Sequence, residues 1–105
     1  MSKLSDDQLK IALKVIDSAE KHGVNPDFVL PMVMVESGFK QDIKSPRGAI
    51  GVMQLMPDTA KGLNVNPNDL DENIDGGMRL LKELSSDKRI GGDPYKEYVI
   101  YEKAI

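Results

Sequence analysis

The sequence predicts a small, mainly α-helical fold with at most a minor β element. Apolar residues recur at helical spacings of three and four in two long stretches, and a third stretch is apolar throughout. Each of these stretches begins with residues that commonly cap helices. The chain has 105 residues, so we expect residues 1–105 to form a single domain in which nearly every apolar helix face enters one core.

The first helix is predicted at residues 6–21. Ser5-Asp6-Asp7-Gln8 matches the capping box, in which a serine hydroxyl and a glutamine side chain bond to free backbone N–H groups. Gly23 is a suitable C-terminal stop. The apolar residues at helical spacing, which we expect to face the core, are Leu9, Ala12, Leu13, Ile16 and Ala19.

The second helix is predicted at residues 26–38, with Asn25 as the N-cap and Pro26 in the first turn. Residues 28–35 are apolar on every side of this helix, a pattern typical of a helix that is buried all round. Residues 49–52 are a candidate for a short strand. Residues 57–61 should form one or two helical turns that stop at Gly62.

A third long helix is predicted to open at Asp71 and to place its apolar side chains on one face. Gly76-Gly77 within it costs about 1 kcal/mol per residue relative to alanine, so close helix packing is the expected compensation. The apolar face is Ile74, Met78, Leu81 and Leu84. Asp93-Pro94 predicts a last short helix that runs towards Ala104.

Composition excludes several classes of function. The chain has 17 acidic and 14 basic residues and a net charge of -3, which argues against a nucleic-acid-binding protein. It has no cysteine and one histidine, which excludes thiol catalysis and a zinc site built on cysteine or several histidines. No window is apolar over the length of a membrane span, and the polar residues 1–7 do not resemble a signal peptide.

One carboxyl group stands out in the second helix. Val29, Met32, Val33 and Glu36 fall on one helical stripe, so the period that buries the first three turns Glu36 towards the same apolar surroundings. Burial and the negative end of the helix dipole both favour its protonated form. A protonated carboxyl at neutral pH can act as a general acid. The alternative is a solvated Glu36 paired with Lys40.

Three motifs follow one another in a set order. They are Glu-Ser-Gly-Phe at residues 36–39, Ser-Pro-Arg-Gly-Ala-Ile-Gly-Val-Met-Gln-Leu-Met-Pro at residues 45–57, and Asn-Ile at residues 73–74. Together they closely resemble the catalytic domain of soluble lytic transglycosylases, goose-lysozyme-like enzymes that cut the glycan strands of peptidoglycan. The resemblance covers about residues 23–84. It implies a lysozyme-like fold and an enzyme that acts on peptidoglycan without a cofactor or metal.

The resemblance also implies roles for individual residues. Glu36 falls on the catalytic acid/base of the family and Ser37 on the partner that orients it or contacts the sugar. Gly51, Met53 and Gln54 fall on the segment that lines the glycan groove. Glycine lets backbone approach a sugar, methionine offers an adaptable apolar wall, and an amide bonds hydroxyl or acetamido groups. Ordinary core packing is the alternative for Met53.

Two further positions match the family less closely. Asn73 matches a position near the start of a helix, although capping explains an asparagine there equally well. A later motif of the family is Ala-Tyr-Asn-x-Gly, whose tyrosine approaches the catalytic glutamate. Here only Tyr101 is retained, with Glu102 in place of the asparagine. Family domains continue for several more helices, so we expect a domain that is short at its C-terminal end.

The activity that the resemblance implies is cleavage between N-acetylmuramic acid and N-acetylglucosamine with a single glutamate, giving 1,6-anhydromuramoyl ends. Two alternatives remain open. One is a muramidase-type hydrolase in which Glu102 or a loop aspartate positions water, and the other is a glycan-binding module without turnover. Because no signal peptide is expected, we anticipate a phage protein that is virion-associated or released through a holin. For a bacterial protein, the corresponding route to the cell wall is recruitment to a secretion machine.

Overall fold

The computed structural model describes residues 3–104, and five helices lie in that range. They are α1 (Asp6–His22), α2 (Pro26–Ser37), α3 (Pro57–Leu63), α4 (Leu70–Ser85) and α5 (Pro94–Ala104). The mainly helical prediction is confirmed. Between residues 3 and 104 the only β structure is a pair of isolated antiparallel bridges, Lys44 to Ile50 and Ile50 to Leu55. No strand therefore forms at residues 49–52, because the chain turns back immediately before and after Ile50.

The ends of α1 follow the capping pattern in the sequence. The Ser5 hydroxyl accepts from the Gln8 N–H at 3.1 Å, and the Gln8 side chain accepts from the Ser5 N–H at 2.7 Å. Gly23 closes the helix with φ +72°. The Gln8 amide also donates to the Gly38 carbonyl at 2.9 Å. This bond holds the start of α1 beside the end of α2, so the two helices lie antiparallel.

The buried faces of α1 and α2 differ from the prediction. In α1 the fully buried residues are Val15 and Ala19, whereas Leu9 is 48% exposed and Leu13 is 66% exposed. The reason is that α1 packs against both α2 and α4, and both leucines fall outside that contact face. The prediction that α2 is buried all round is also wrong, since Val35 is 73% exposed. Only the stripe that contains Val29, Met32 and Val33 is buried.

α4 begins one residue before the predicted start, at Leu70, because Asp69 caps it by accepting from the Glu72 N–H at 3.0 Å. Gly76 and Gly77 allow other residues to pack closely against α4, as the sequence predicts. The residues that pack there come from loops and not from a second helix. A Cβ at Gly77 would meet the Met53 side chain at 2.5 Å, and one at Gly76 would meet Val65 at 2.9 Å. None of the helices in residues 3–104 is long and apolar enough to cross a membrane.

Candidate functional site

A cavity of about 330 Å³ lies between the end of α2, the loop that follows it, and α5. Two acidic residues, Glu36 and Glu102, line this cavity together with Arg47 and Gln54. Ser45, Pro46, Ala49 and Met56 complete the lining. The cavity thus combines acids, a cation and an amide on an otherwise small and apolar surface, which is typical of a ligand site.

Glu36 lies in the last turn of α2, on the stripe that also carries Val29, Met32 and Val33. The side chain is half-buried, and its Oε1 atom is fully buried. Among the residues that the structure describes, none donates a hydrogen bond to this oxygen. A buried acceptor left without a partner costs about 1–3 kcal/mol. Such groups are rare in native proteins and often mark a functional site.

Gln54 faces the same cavity from an unusual backbone conformation. Its φ is +51°, in the left-handed region that non-glycine residues seldom occupy. Its side-chain Nε2 donates to the Gly51 carbonyl at 2.9 Å, and its own N–H donates to the same carbonyl at 3.1 Å. The side chain is only 4% exposed. These two bonds fix the amide in place at the edge of the cavity.

Met53 does not line the cavity, since it is fully buried beneath α4. Its backbone is held on both sides: the N–H donates to Asn73 Oδ1 at 2.8 Å, and the carbonyl accepts from the Tyr101 hydroxyl at 2.7 Å. The core-packing alternative therefore describes its side chain. Its backbone fixes the peptide unit that leads into Gln54, so the wall of the cavity is anchored to α4 and α5.

Asn73 is completely buried and ties together parts of the chain that are distant in sequence. Besides its bond to the Met53 N–H, it donates from Nδ2 to the Ile50 carbonyl at 2.8 Å and to the Pro67 carbonyl at 2.9 Å. It does not cap α4, which Asp69 does. It has no free group for a sugar, because these three bonds use its amide. The asparagine is a structural tie.

Tyr101 is also completely buried. Its hydroxyl donates to the Met53 carbonyl, so it does not bond the Glu36 carboxyl as the resemblance implies. Burial raises the pKa of the Tyr101 phenol well above its usual range, which keeps the hydroxyl protonated as a donor. Tyr101 therefore acts on the cavity indirectly, through the loop wall.

Gly51 and Ser37 lie beside the cavity without lining it. Gly51 has φ +77°, and a Cβ there would collide with the side chains of Gln41 and Asn73. The glycine thus admits two internal side chains, where the resemblance implies that it admits a sugar. The Ser37 hydroxyl is buried and donates to the Val33 carbonyl one turn earlier, at 3.2 Å. Its hydroxyl proton is therefore donated to its own helix, and Ser37 is not among the residues that line the cavity.

Two contributors to the site, Gln41 and Arg47, have no role assigned by the sequence motifs. Gln41 braces the loop, accepting from the Val52 N–H at 3.0 Å and donating to the Pro67 carbonyl at 3.0 Å. Arg47 lines the cavity and lies in a tight turn at residues 45–49. A basic residue between Pro46 and Gly48 in a turn was the available signal. Glu102, the residue that would position water in the hydrolase alternative, is exposed and lines the cavity with Glu36.

Comparison with known proteins gives two matches. The family described as "Transglycosylase SLT domain" matches residues 14–103. A protein named "Transglycosylase" from Enterobacteria phage PRD1 is 42% identical over 67 residues, which make up 63% of this chain and 25% of that relative. The aligned region thus spans about a quarter of the phage protein. No solved structure matches.

Proposed function

Because the chain belongs to the transglycosylase SLT domain family, we propose that it cleaves the β-1,4 bond between N-acetylmuramic acid and N-acetylglucosamine in peptidoglycan, with Glu36 as the single acid/base. The observation that carries this proposal is the Glu36 carboxyl group: the residue lines the cavity, and its buried Oε1 atom lacks a hydrogen-bond donor among residues 3–104. A carboxyl group in this position can exchange a proton with a bound sugar instead of with the protein.

The proposed reaction has two proton transfers and consumes no water. Protonated Glu36 first donates its proton to the glycosidic oxygen, and the bond from that oxygen to the anomeric carbon of muramic acid breaks. The acetamido oxygen of the same sugar attacks the anomeric carbon and forms an oxazolinium ion. The Glu36 carboxylate then removes the proton of the C6 hydroxyl, whose oxygen displaces the acetamido group and closes a 1,6-anhydro ring.

Gln54 supports this chemistry through its position. One N–H of its amide is bonded to Gly51, which fixes the plane of the whole group. An amide held in this way can bond the acetamido group of the sugar without losing conformational entropy on binding. We assign Gln54 to the glycan-binding wall on this basis.

Glu102 favours a second candidate, a muramidase-type hydrolase. It is the other carboxyl group of the cavity, and paired carboxylates that flank a bond are the usual equipment of glycosidases. In that reaction the Glu102 carboxylate would orient a water molecule, and the product would have a reducing end.

The test is to incubate the purified chain with peptidoglycan and to measure the masses of the soluble products by mass spectrometry. Anhydro ends are expected, and they are lighter than reducing ends by one water molecule. Glu36→Gln, which keeps the size of the side chain but cannot transfer the proton, should abolish product formation with an unchanged melting temperature. Glu83→Gln on the exposed side of α4 is the matched control. Reducing ends would support the hydrolase, and full activity of Glu36→Gln would remove this residue from the mechanism.

The biological setting is part of the same proposal. The relative from phage PRD1 is named a transglycosylase, which supports a phage protein that acts on the bacterial cell wall. We propose that it reaches the wall as part of a virion or after release through a holin.

A further inference from the structure

We propose that Arg47 binds a carboxylate on the muramic acid side of the substrate, which makes the cavity selective for anionic glycan strands. This inference rests on the proposed function, because it names the substrate group that the same cavity recognises. Nothing in the family resemblance assigned a role to this residue.

The first observation is that Arg47 is free to bind. The chain has three arginines, and the other two each bind a carboxylate: Arg79 Nε lies 3.1 Å from Asp75, and Arg89 Nη2 lies 2.6 Å from Asp87. Arg47 is exposed and lines the cavity. It makes no ion pair or side-chain hydrogen bond with any residue in the described range 3–104. Its five N–H donors are therefore available to a ligand.

The second observation is that the backbone beneath Arg47 is fixed. The Ser45 hydroxyl accepts from the Ala49 N–H at 3.0 Å, and the Ser45 N–H donates to the Ala49 carbonyl at 2.9 Å. The Gly48 N–H donates to the Ser45 carbonyl at 2.9 Å, and Gly48 has φ +100°. Three bonds thus close a turn of five residues. A side chain on a rigid turn loses less entropy on binding than one on a mobile loop.

The charges of the cavity also favour this role for Arg47. The cavity holds two carboxyl groups, Glu36 and Glu102, and Arg47 is the only cation among its lining residues in the described part of the chain. The Glu102 carboxylate, and Glu36 whenever it is ionised, would repel an anionic substrate if no cation offset them. A guanidinium can also bind a carboxylate with two parallel N–H···O bonds, which fixes orientation as well as charge.

The chemistry of the substrate supplies the carboxylate on one side only. N-acetylglucosamine carries no acid, whereas N-acetylmuramic acid carries a lactyl group at C3. In a bare strand the lactyl carboxylate is free, and in a substituted strand it is linked to a peptide stem that has carboxylates of its own. Muramic acid is the sugar whose anomeric carbon reacts beside Glu36, so its C3 substituent lies within the reach of a residue that lines the same cavity.

The experiment measures the affinity for three kinds of strand. The first keeps its peptide stems, the second is stripped by an amidase and exposes lactyl carboxylates, and the third is stripped and then coupled to methylamine, which removes the negative charge. Binding is measured with Glu36→Gln and with the double variant that adds Arg47→Ala, so no turnover is needed. Arg89→Ala in the same background is the control, because it removes an equal charge outside the cavity.

We expect Arg47→Ala to weaken binding about tenfold to at least one anionic strand and to leave binding to the methylamide strand unchanged. A loss confined to stem-bearing strands identifies a stem carboxylate, and a loss on stripped strands identifies the lactyl carboxylate. Arg47→Lys should recover part of the affinity, since lysine keeps the charge without the planar fork.

An equal loss on the methylamide strand, or no loss on any strand, would overturn the inference. Products made by the wild-type chain are a separate measurement. If the wild type cleaves no strand but Arg47→Ala still weakens binding to anionic strands alone, then the catalytic proposal fails and the assignment of Arg47 stands. If the wild type cleaves all three strands equally well and Arg47→Ala has no effect, then only the assignment of Arg47 fails.

Discussion

The Tyr101 hydroxyl donates to the Met53 carbonyl across 2.7 Å, and this bond joins residues 48 positions apart in the chain. Both side chains are completely buried. Because the Met53 peptide unit leads directly into Gln54, the tyrosine sets the position of the cavity wall from behind. Tyr101 is thus a positioning residue, connected to the candidate site through backbone.

Tyr101→Phe should lower the free energy of unfolding by about 1–3 kcal/mol, because it leaves the buried Met53 carbonyl without a donor. Cleavage of peptidoglycan should fall as well, since Gln54 loses one of its supports. Chemical denaturation and product assays measure the two effects. Tyr95→Phe is the matched control, because Tyr95 lies on the same helix and is 75% exposed. Equal stability of both variants would contradict the role of this bond.

Asn73→Ala should be more damaging, with a loss of about 2–5 kcal/mol. The substitution leaves the buried Met53 N–H without a partner. It also removes one of the two bonds that each of the Ile50 and Pro67 carbonyls accepts, the other donors being the Leu55 N–H and the Gln41 amide. The melting temperature measures this loss. Asn68→Ala, at an exposed position in the preceding loop, should change it little. A mild effect at Asn73 would show that the loop has another support.

Two glycine substitutions should change the stability of the fold in opposite directions. Gly77→Ala should destabilise the fold by about 1–3 kcal/mol, because the new Cβ would lie 2.5 Å from Met53 atoms and the core must shift. Gly62→Ala should stabilise by up to about 1 kcal/mol, since it lies within α3 with open space around it. Thermal unfolding of the two variants tests this contrast. Similar shifts in both would refute the close contact between Met53 and α4.

Glu97 predicts a dependence of stability on pH. It is 8% exposed and lines a cavity of about 280 Å³ beside Val24 and Phe28. Burial raises the pKa of Glu97 above its ordinary value of 4.5. The folded chain therefore holds this proton more tightly than the unfolded chain does. The stabilising contribution of protonated Glu97 is complete below the pKa that this group has in the unfolded chain. It is lost as the pH rises through the pKa of Glu97 in the folded chain.

Glu97→Gln, which stays neutral, should therefore be more stable than the wild type at pH 7. The difference should vanish below about pH 4, where both side chains are uncharged. Melting temperatures over this pH range measure the effect. Glu83→Gln on the surface of α4 should show no such trend. A Glu97 variant that tracks the wild type at every pH would mean that the carboxylate is well solvated.

The sequence predicts the helices well because their signals are local. The capping box at Ser5 and Gln8 and the stop at Gly23 are formed by residues a few positions apart, and the structure has all of them. Which helix face is buried depends on neighbours distant in the sequence. For this reason Leu13 and Val35 are exposed although their apolar spacing predicted burial.

The same distinction applies to the candidate site. The placement of Glu36 follows from its stripe on α2, which is a local property. The contacts of Asn73 and Tyr101 follow from how the loop docks between α4 and α5, and no spacing in the sequence contains that information. A sequence motif therefore indicates which residues contribute to the same site. It does not tell whether a given residue lines the cavity or supports the cavity wall from behind.

The anchoring of the cavity wall by α5 also affects biosynthesis. A ribosome makes the chain from its N-terminus, and domains fold in that direction as they emerge. Glu36 and Gln54 are therefore synthesised well before Tyr101 and Glu102, and a nascent chain has an unsupported wall and only one of its two acids. The cavity is complete only after α5 has left the ribosome, so a translation product that lacks α5 carries the motif without the complete cavity.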